Sequence, residues 1–281
     1  FTVHATYVAG SSAESDASSP VTPANVPGVP TGVTATPGDA SATVSWSAPA
    51  DNGGSAVTGY TVTASPGNVT KSVGGGVLST SVTGLSNGTA YTFTVHATNS
   101  AGDSAESTAS SQVTPRTVPG APTGVTAVPG DRSATVSWTA PADNGGSPVT
   151  GYTVTSSPAS PGATVNGAGT SVVVTGLTNG TPYTFTVHAT NVAGDSAESG
   201  ASSAVTPSTV PGKPTGVSAV GGNSAATVSW TAPTDDGGAP ITGYTVTSSP
   251  GGVTKTVAGD QSQAVVTGLT NGTSYTFRVL A

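Results

Sequence analysis

This chain repeats itself every 92 residues. Trp46, Trp138 and Trp230 are spaced in this way, and so are Phe1, Phe93, Phe185 and Phe277. A constant period of that length marks domains copied in tandem rather than one large fold. Ninety-two residues are enough for one modest core. The repeat divides the 281 residues into a partial unit at 1–23, complete units at 24–115 and 116–207, and a unit at 208–281 that ends before its last strand. No copy carries an insertion large enough to act as a lid or catalytic loop.

Within one copy, alternation of apolar and polar residues sets the local structure. Ala42, Val44 and Trp46 alternate with Thr43 and Ser45, and Tyr60, Val62 and Ala64 form a second inward row. The clearest strand puts Tyr91, Phe93, Val95 and Ala97 on one face and Thr92, Thr94, His96 and Thr98 on the other. Val33–Thr36, Asn68–Val73 and Val77–Thr83 read as shorter strands, and Ser104–Thr114 as a last strand poor in large side chains. Asp51-Asn52-Gly53-Gly54 and Gly84-Leu85-Ser86-Asn87-Gly88 are turns. Seven short strands with turns between them predict an all-β, antiparallel, immunoglobulin-like sandwich, repeated in tandem.

Composition narrows the function classes. Only 7% of residues are charged, the net charge is -7, and the six Lys and Arg residues are scattered. Nucleic acid is therefore not an expected partner, because its backbone is bound by clustered basic residues. Cysteine is absent, which removes disulfides, thiolate metal sites and cysteine nucleophiles. No apolar run approaches the ~20 residues of a membrane-spanning helix. Proline-rich joints at Pro23–Pro30, Pro115–Pro122 and Pro207–Pro214 predict semi-rigid linkers. Three sandwiches in line would make a rod of roughly 100 Å at ~3.3 Å per strand residue.

Four motifs carry a family resemblance: Val-Pro-Gly-Val-Pro-Thr-Gly-Val at 26–33, Val-Ser-Trp at 44–46, Gly-Gly-Ser-Ala-Val-Thr-Gly-Tyr at 53–60, and Gly-Leu-Ser-Asn-Gly-Thr-Ala-Tyr-Thr-Phe-Thr-Val at 84–95. They recur at Trp138, Tyr152, Leu177 and Tyr183, and again at Trp230, Tyr244, Leu269 and Tyr275. Together they make the chain resemble a tandem array of bacterial fibronectin type III domains over nearly its whole length. That resemblance implies seven-stranded sandwiches, usually extracellular, serving as spacers in secreted polysaccharide-degrading enzymes or in surface adhesins, filaments and phage tails. It also implies that Tyr91, Tyr183 and Tyr275 are corner tyrosines whose hydroxyls return to nearby backbone.

No residue pattern commits the chain to a catalytic, cofactor or metal site. His4, His96 and His188 recur one per copy and cannot converge on one ion; they read as outward strand residues beside threonine. Asp51-Asn52, Asp143-Asn144 and Asp235-Asp236 offer too few oxygens for calcium, and turn chemistry accounts for them. Asp103 with Glu106, and Asp195 with Glu198, lack the cleft that a glycosidase carboxylate pair requires. Asn68, Asn87, Asn179 and Asn271 match the glycosylation sequon, but the last three are Asn-Gly turn signals, and all are expected to be unmodified. Asn99–Asp103 reads as an exposed loop.

The expected function is therefore a non-catalytic extracellular or cell-surface spacer: a stalk, filament or adhesin segment. A linker array of a secreted polysaccharide-degrading enzyme and a module binding carbohydrate or a host surface are the alternatives. The partial units at the two ends read as a segment of a longer array. A rival expectation is head-to-tail self-association, with Ser11–Thr22 of one chain completing the last sandwich of another.

Overall fold

The computed structural model describes residues 1–281. It separates into two compact units, Phe1–Thr117 with Gly145–Ser147, and Val118–Asn144 with Pro148–Ala281. Every regular element is a β-strand, and every pairing is antiparallel.

The first unit opens with a small hairpin of β1 (Thr6–Tyr7) and β2 (Gly10–Ser11), whose residues are exposed. A sandwich follows, built from β3 (Thr31–Gly38), β4 (Ser41–Ser47), β5 (Gly59–Ser65), β6 (Thr70–Gly74), β7 (Ser79–Thr83), β8 (Thr92–Asn99) and the two-residue β9 (Gly102–Asp103). One sheet has the order β3-β4-β7 and the other β6-β5-β8-β9. The inward rows are those set by alternation: Ala42, Val44 and Trp46; Tyr60, Val62 and Ala64; Val82; and Phe93, Val95 and Ala97. Each large apolar side chain fully withdrawn from water contributes about 1.5–3 kcal/mol. Trp46 packs on Tyr60 with ring centroids 5.4 Å apart and planes tilted by 59°, a geometry favoured by the ring quadrupoles.

Two features shape the start of this sandwich. β3 is longer than the four residues its sequence suggests: it continues through Pro37 and Gly38, paired with Ala42 and Ser41, and at its start its register with β4 shifts between Thr31 and Thr34, a bulge where Gly32 takes φ 64°. The β3–β4 turn holds Ala40 at φ 44°. That left-handed conformation is supported by Asn87, whose Oδ1 accepts from the Ala40 N–H (2.9 Å) while its Nδ2 donates to Asp39 Oδ1 (2.8 Å).

The expectation of a last strand over Ser104–Thr114 needs correction. Buried residues there fall at every third position, Ser104, Ser107 and Ser110. Their N–H groups donate to the carbonyls of Ala97, Val95 and Phe93 at 2.8, 3.0 and 2.9 Å. Their Oγ atoms accept from the N–H groups of the same three residues at 3.0, 3.0 and 3.1 Å. Each hydroxyl then donates to the carbonyl of the following residue. The segment therefore advances three residues for every two of β8, a succession of bulges rather than a ladder. A serine hydroxyl is short enough to replace the missing backbone carbonyl, whereas a large side chain would hold the two segments apart. Regular pairing returns only at the Tyr91–Val113 bridge.

The second unit holds two further sandwiches. The first comprises β10 (Thr123–Gly130), β11 (Ser133–Thr139), β12 (Gly151–Ser157), β13 (Ala163–Asn166), β14 (Ser171–Thr175), β15 (Thr184–Asn191) and β16 (Gly194–Asp195), in sheets β10-β11-β14 and β13-β12-β15-β16. Its core centres on Trp138, Tyr152, Leu177 and Phe185. Ser196, Ser199 and Ser202 repeat the serine edge against Ala189, Val187 and Phe185. The other comprises β17 (Thr215–Gly222), β18 (Ala225–Thr231), β19 (Gly243–Ser249), β20 (Thr254–Ala258), β21 (Gln263–Thr267) and β22 (Thr276–Leu280), in sheets β17-β18-β21 and β20-β19-β22. Trp230, Tyr244, Val246 and Val266 are buried there, while Tyr275, Phe277 and Val279 on the β22 side are only partly covered.

Candidate functional site

The residues singled out by sequence occupy outward faces, turns and corners, and each can be traced to local bonding. On the outer face of the β5–β8 pair, Thr61 lies opposite His96, Thr63 opposite Thr94, and Ser65 opposite Thr92. The equivalent face of the second sandwich pairs Thr153 with His188, Thr155 with Thr186, and Ser157 with Thr184. These are neutral hydroxyl surfaces, able to exchange hydrogen bonds with water or another hydroxylated surface. The histidines that interrupt them are tied down: His96 Nδ1 lies 2.9 Å from Glu106 Oε1, His188 Nδ1 2.8 Å from Glu198 Oε1, and His4 Nδ1 2.7 Å from Glu14 Oε1. The ten-residue offset from His to Glu recurs with every histidine and was the sequence signal for this pair.

The carboxylates read as failed glycosidase pairs have separate jobs. Asp103 Oδ1 accepts from Thr98 Oγ1 at 2.6 Å, while Glu106 serves His96. Asp195 and Glu198 repeat the arrangement with Thr190 and His188. The acidic turns close on themselves. Asp51 Oδ1 accepts from the Gly53 N–H and Asn52 Oδ1 from the Gly54 N–H; Asp235 and Asp236 do the same for Gly237 and Gly238. No group of three His, Cys, Asp or Glu side chains is gathered where one ion could sit. The amides of the sequon residues Asn87, Asn179 and Asn271 are each engaged at both oxygen and nitrogen by the neighbouring turn.

The corner tyrosines behave as the resemblance implies. The hydroxyls of Tyr91, Tyr183 and Tyr275 accept from the N–H groups of Ser86, Thr178 and Thr270 at 3.1, 3.2 and 3.1 Å. Burial pushes the phenols of Tyr60 and Tyr152 up from their ordinary value. Trp46, Trp138 and Trp230 each bury an indole N–H without a hydrogen-bond partner.

Asn99, placed by sequence in an exposed loop, is instead buried. Its Nδ2 donates to the carbonyls of both Asn25 and Asn52, clamping the linker to the acidic turn. Asn191 likewise reaches the Asn144 carbonyl. An Asn recurring after a strand gives no sign by itself that its amide turns inward. In the third sandwich, a cavity of about 310 Å³ is lined by Gly221, Ala225, Leu269, Asn271, Tyr275 and Phe277, with no charged side chain on its wall. In the first sandwich the corresponding corner is met by Val113, Pro115 and Arg116 through backbone bonds to Tyr91, Gly88 and Gly38.

A family model described as fibronectin type III domain matches residues 28–113, 120–205 and 212–281. The chain belongs to the fibronectin type III family. Among similar fibronectin type III-bearing proteins are three bacterial ones. Exoglucanase B of Cellulomonas fimi is 36% identical over 91% of this chain and 24% of its own length. Exoglucanase A of the same organism is 41% identical over 93% of this chain and 31% of its own length. Chitinase A1 of Niallia circulans is 41% identical over 57% of this chain and 22% of its own length. The chain thus spans less than a third of each of these three relatives.

Proposed function

We propose that this fibronectin type III array is a non-catalytic spacer of an extracellular polysaccharide-degrading enzyme, setting the distance between parts that act on the polymer. The observation that carries this reading is the match of nearly the whole chain to a minor part of two exoglucanases. The side chains are consistent with it: Asp103, Glu106, Asp195, Glu198, Asp235 and Asp236 are engaged in strand-to-strand ties and turns, and threonine and serine hydroxyls dominate the outer β5–β8 and β12–β15 faces. Catalysis of glycoside cleavage needs two carboxyl groups facing one bound sugar, whereas Asp103 and Glu106 each bond to a side chain of β8.

The test has two arms. The purified chain, incubated with cellulose and with chitin, is expected to release no reducing sugar. Placed between a glycoside hydrolase domain and a polysaccharide-binding module, it should leave hydrolysis of a soluble substrate unchanged and alter hydrolysis of the insoluble polymer as sandwiches are removed. Sugar release by the chain alone, or indifference of the insoluble reaction to sandwich number, would overturn the proposal.

A further inference from the structure

The joint between the two sandwiches of the second unit contains a backbone contact that only glycine allows. Gly238, in the acidic turn of the third sandwich, lies directly on Asn179 and Gly180, in the turn that precedes the corner tyrosine of the second. A Cβ on Gly238 would stand 2.7 Å from both the carbonyl carbon and the Cβ of Asn179, and would also strike the Gly180 nitrogen. Seen from the other side, a Cβ on Gly180 would lie 3.3 Å from the Gly238 Cα. Neither surface can yield by rotating a side chain, because the atoms met are main chain or a Cβ fixed directly to it. Asn179 is itself pinned to its own sandwich, its amide held by Asp131 and by the Arg132 N–H.

The connecting segment is bonded to both sides of the same contact. The Pro207 carbonyl accepts from the Gly180 N–H at 3.0 Å, on the second sandwich. The Thr209 and Gly212 N–H groups donate to the carbonyls of Gly237 and Asp235 at 2.8 and 2.9 Å, on the third. Gly237 has φ 76°, and a Cβ there would run into the Thr209 carbonyl. The first unit contains the same seat: a Cβ on Gly146 would meet the Asn87 carbonyl carbon at 2.7 Å, the Gly88 N–H donates to Pro115, and the Thr117 N–H donates to Gly145.

We infer that this glycine seat, with its bonded strap, locks the second and third sandwiches into one body of fixed mutual orientation. A proline-rich linker alone would leave a swivel. A main-chain contact with bonds on both sides removes it, so this pair of sandwiches conveys direction as well as distance. This deepens the spacer reading and rests on it for its biological use, but the lock itself is a property of the isolated chain.

The chain lacks cysteine, so a spin-label pair can be placed without background. Val173→Cys on β14 and Val265→Cys on β21 occupy corresponding exposed sites, 53% and 50% accessible. Pulsed electron–electron resonance on this pair is expected to give one narrow distance peak. Gly238→Ala should broaden it and abolish the single peak. Gly54→Ala is the matched control: Gly54 has φ 82° against 86° for Gly238, in the corresponding turn, yet the nearest atom to its added Cβ is the Pro23 carbonyl oxygen at 3.4 Å. It should leave the peak untouched. A broad distribution in the otherwise unaltered chain would overturn the inference whether or not Gly238→Ala folds, and so would a narrow peak that survives Gly238→Ala. Failure of the enzyme-spacer assays would leave the distance measurement unaffected, so the two readings fail separately.

Discussion

Replacing Ser107 by alanine tests how the outer edge of the first sandwich is closed. Ser107 Oγ accepts from the Val95 N–H at 3.0 Å and donates to the Thr108 carbonyl at 2.9 Å, and Val95 is 0% exposed. Without the hydroxyl, that N–H stays buried with nothing to receive it, because the Val95 carbonyl bond to the Ser107 backbone does not involve it. A buried donor stripped of its partner costs about 1–3 kcal/mol. Ser111→Ala is the control, since Ser111 is exposed and accepts the Ser110 hydroxyl through its backbone carbonyl; surface changes of that kind stay within about 0.5 kcal/mol. With three sandwiches in one chain, a single melting curve would mix their transitions, so hydrogen exchange is the better assay. The β8 amides, Val95 foremost, should exchange about 5- to 150-fold faster in Ser107→Ala, the equivalent of that cost under local opening. Equal exchange in Ser107→Ala and Ser111→Ala would refute the argument that serine hydroxyls, rather than backbone pairing alone, hold this edge.

Two more outcomes are expected from the core. Trp138→Ala should cost its sandwich about 3–5 kcal/mol, as large core truncations do, read as faster exchange in β11, β12 and β15, with the fluorescence of Trp46 and Trp230 left to report on the other two sandwiches. Alkaline conditions should lower the melting temperature. Because burial raises the Tyr60 and Tyr152 phenols above the ordinary tyrosine value, the folded chain holds those protons more tightly than the unfolded one. Their contribution is complete below about pH 10 and is lost as pH rises through the folded values. In a pH series of calorimetric scans resolved into separate transitions, transitions that all stay flat across that range would contradict it.

What was legible in the sequence was whatever depends on a period of two. The rows ending in Trp46, Ala64 and Ala97 follow from alternation alone, and the corner hydroxyl of Tyr91 follows from the family motif. What could not be read depends on a side chain replacing main chain. Ser104, Ser107 and Ser110 give the pattern of a strand poor in large side chains, because a period of three carried by hydroxyls leaves no apolar alternation. Asn99 was misplaced because its burial comes from bonds to Asn25 and Asn52, 74 and 47 residues away. The His–Glu ties were visible only as a fixed offset, and that offset carries no meaning until β8 and the serine edge are known to lie side by side.

The serine edge also bears on how a chain of near copies folds at all. Neighbouring units this alike offer one another strands of matching pattern, and crossed assembly between them is the characteristic error of repeated domains. An edge geared three residues to two, and keyed by hydroxyls, does not mesh with an ordinary strand from next door. In each full unit the Ser-x-x-Ser-x-x-Ser segment follows its own β8 or β15 directly, so the loop that closes it is far shorter than any loop to a neighbour's copy.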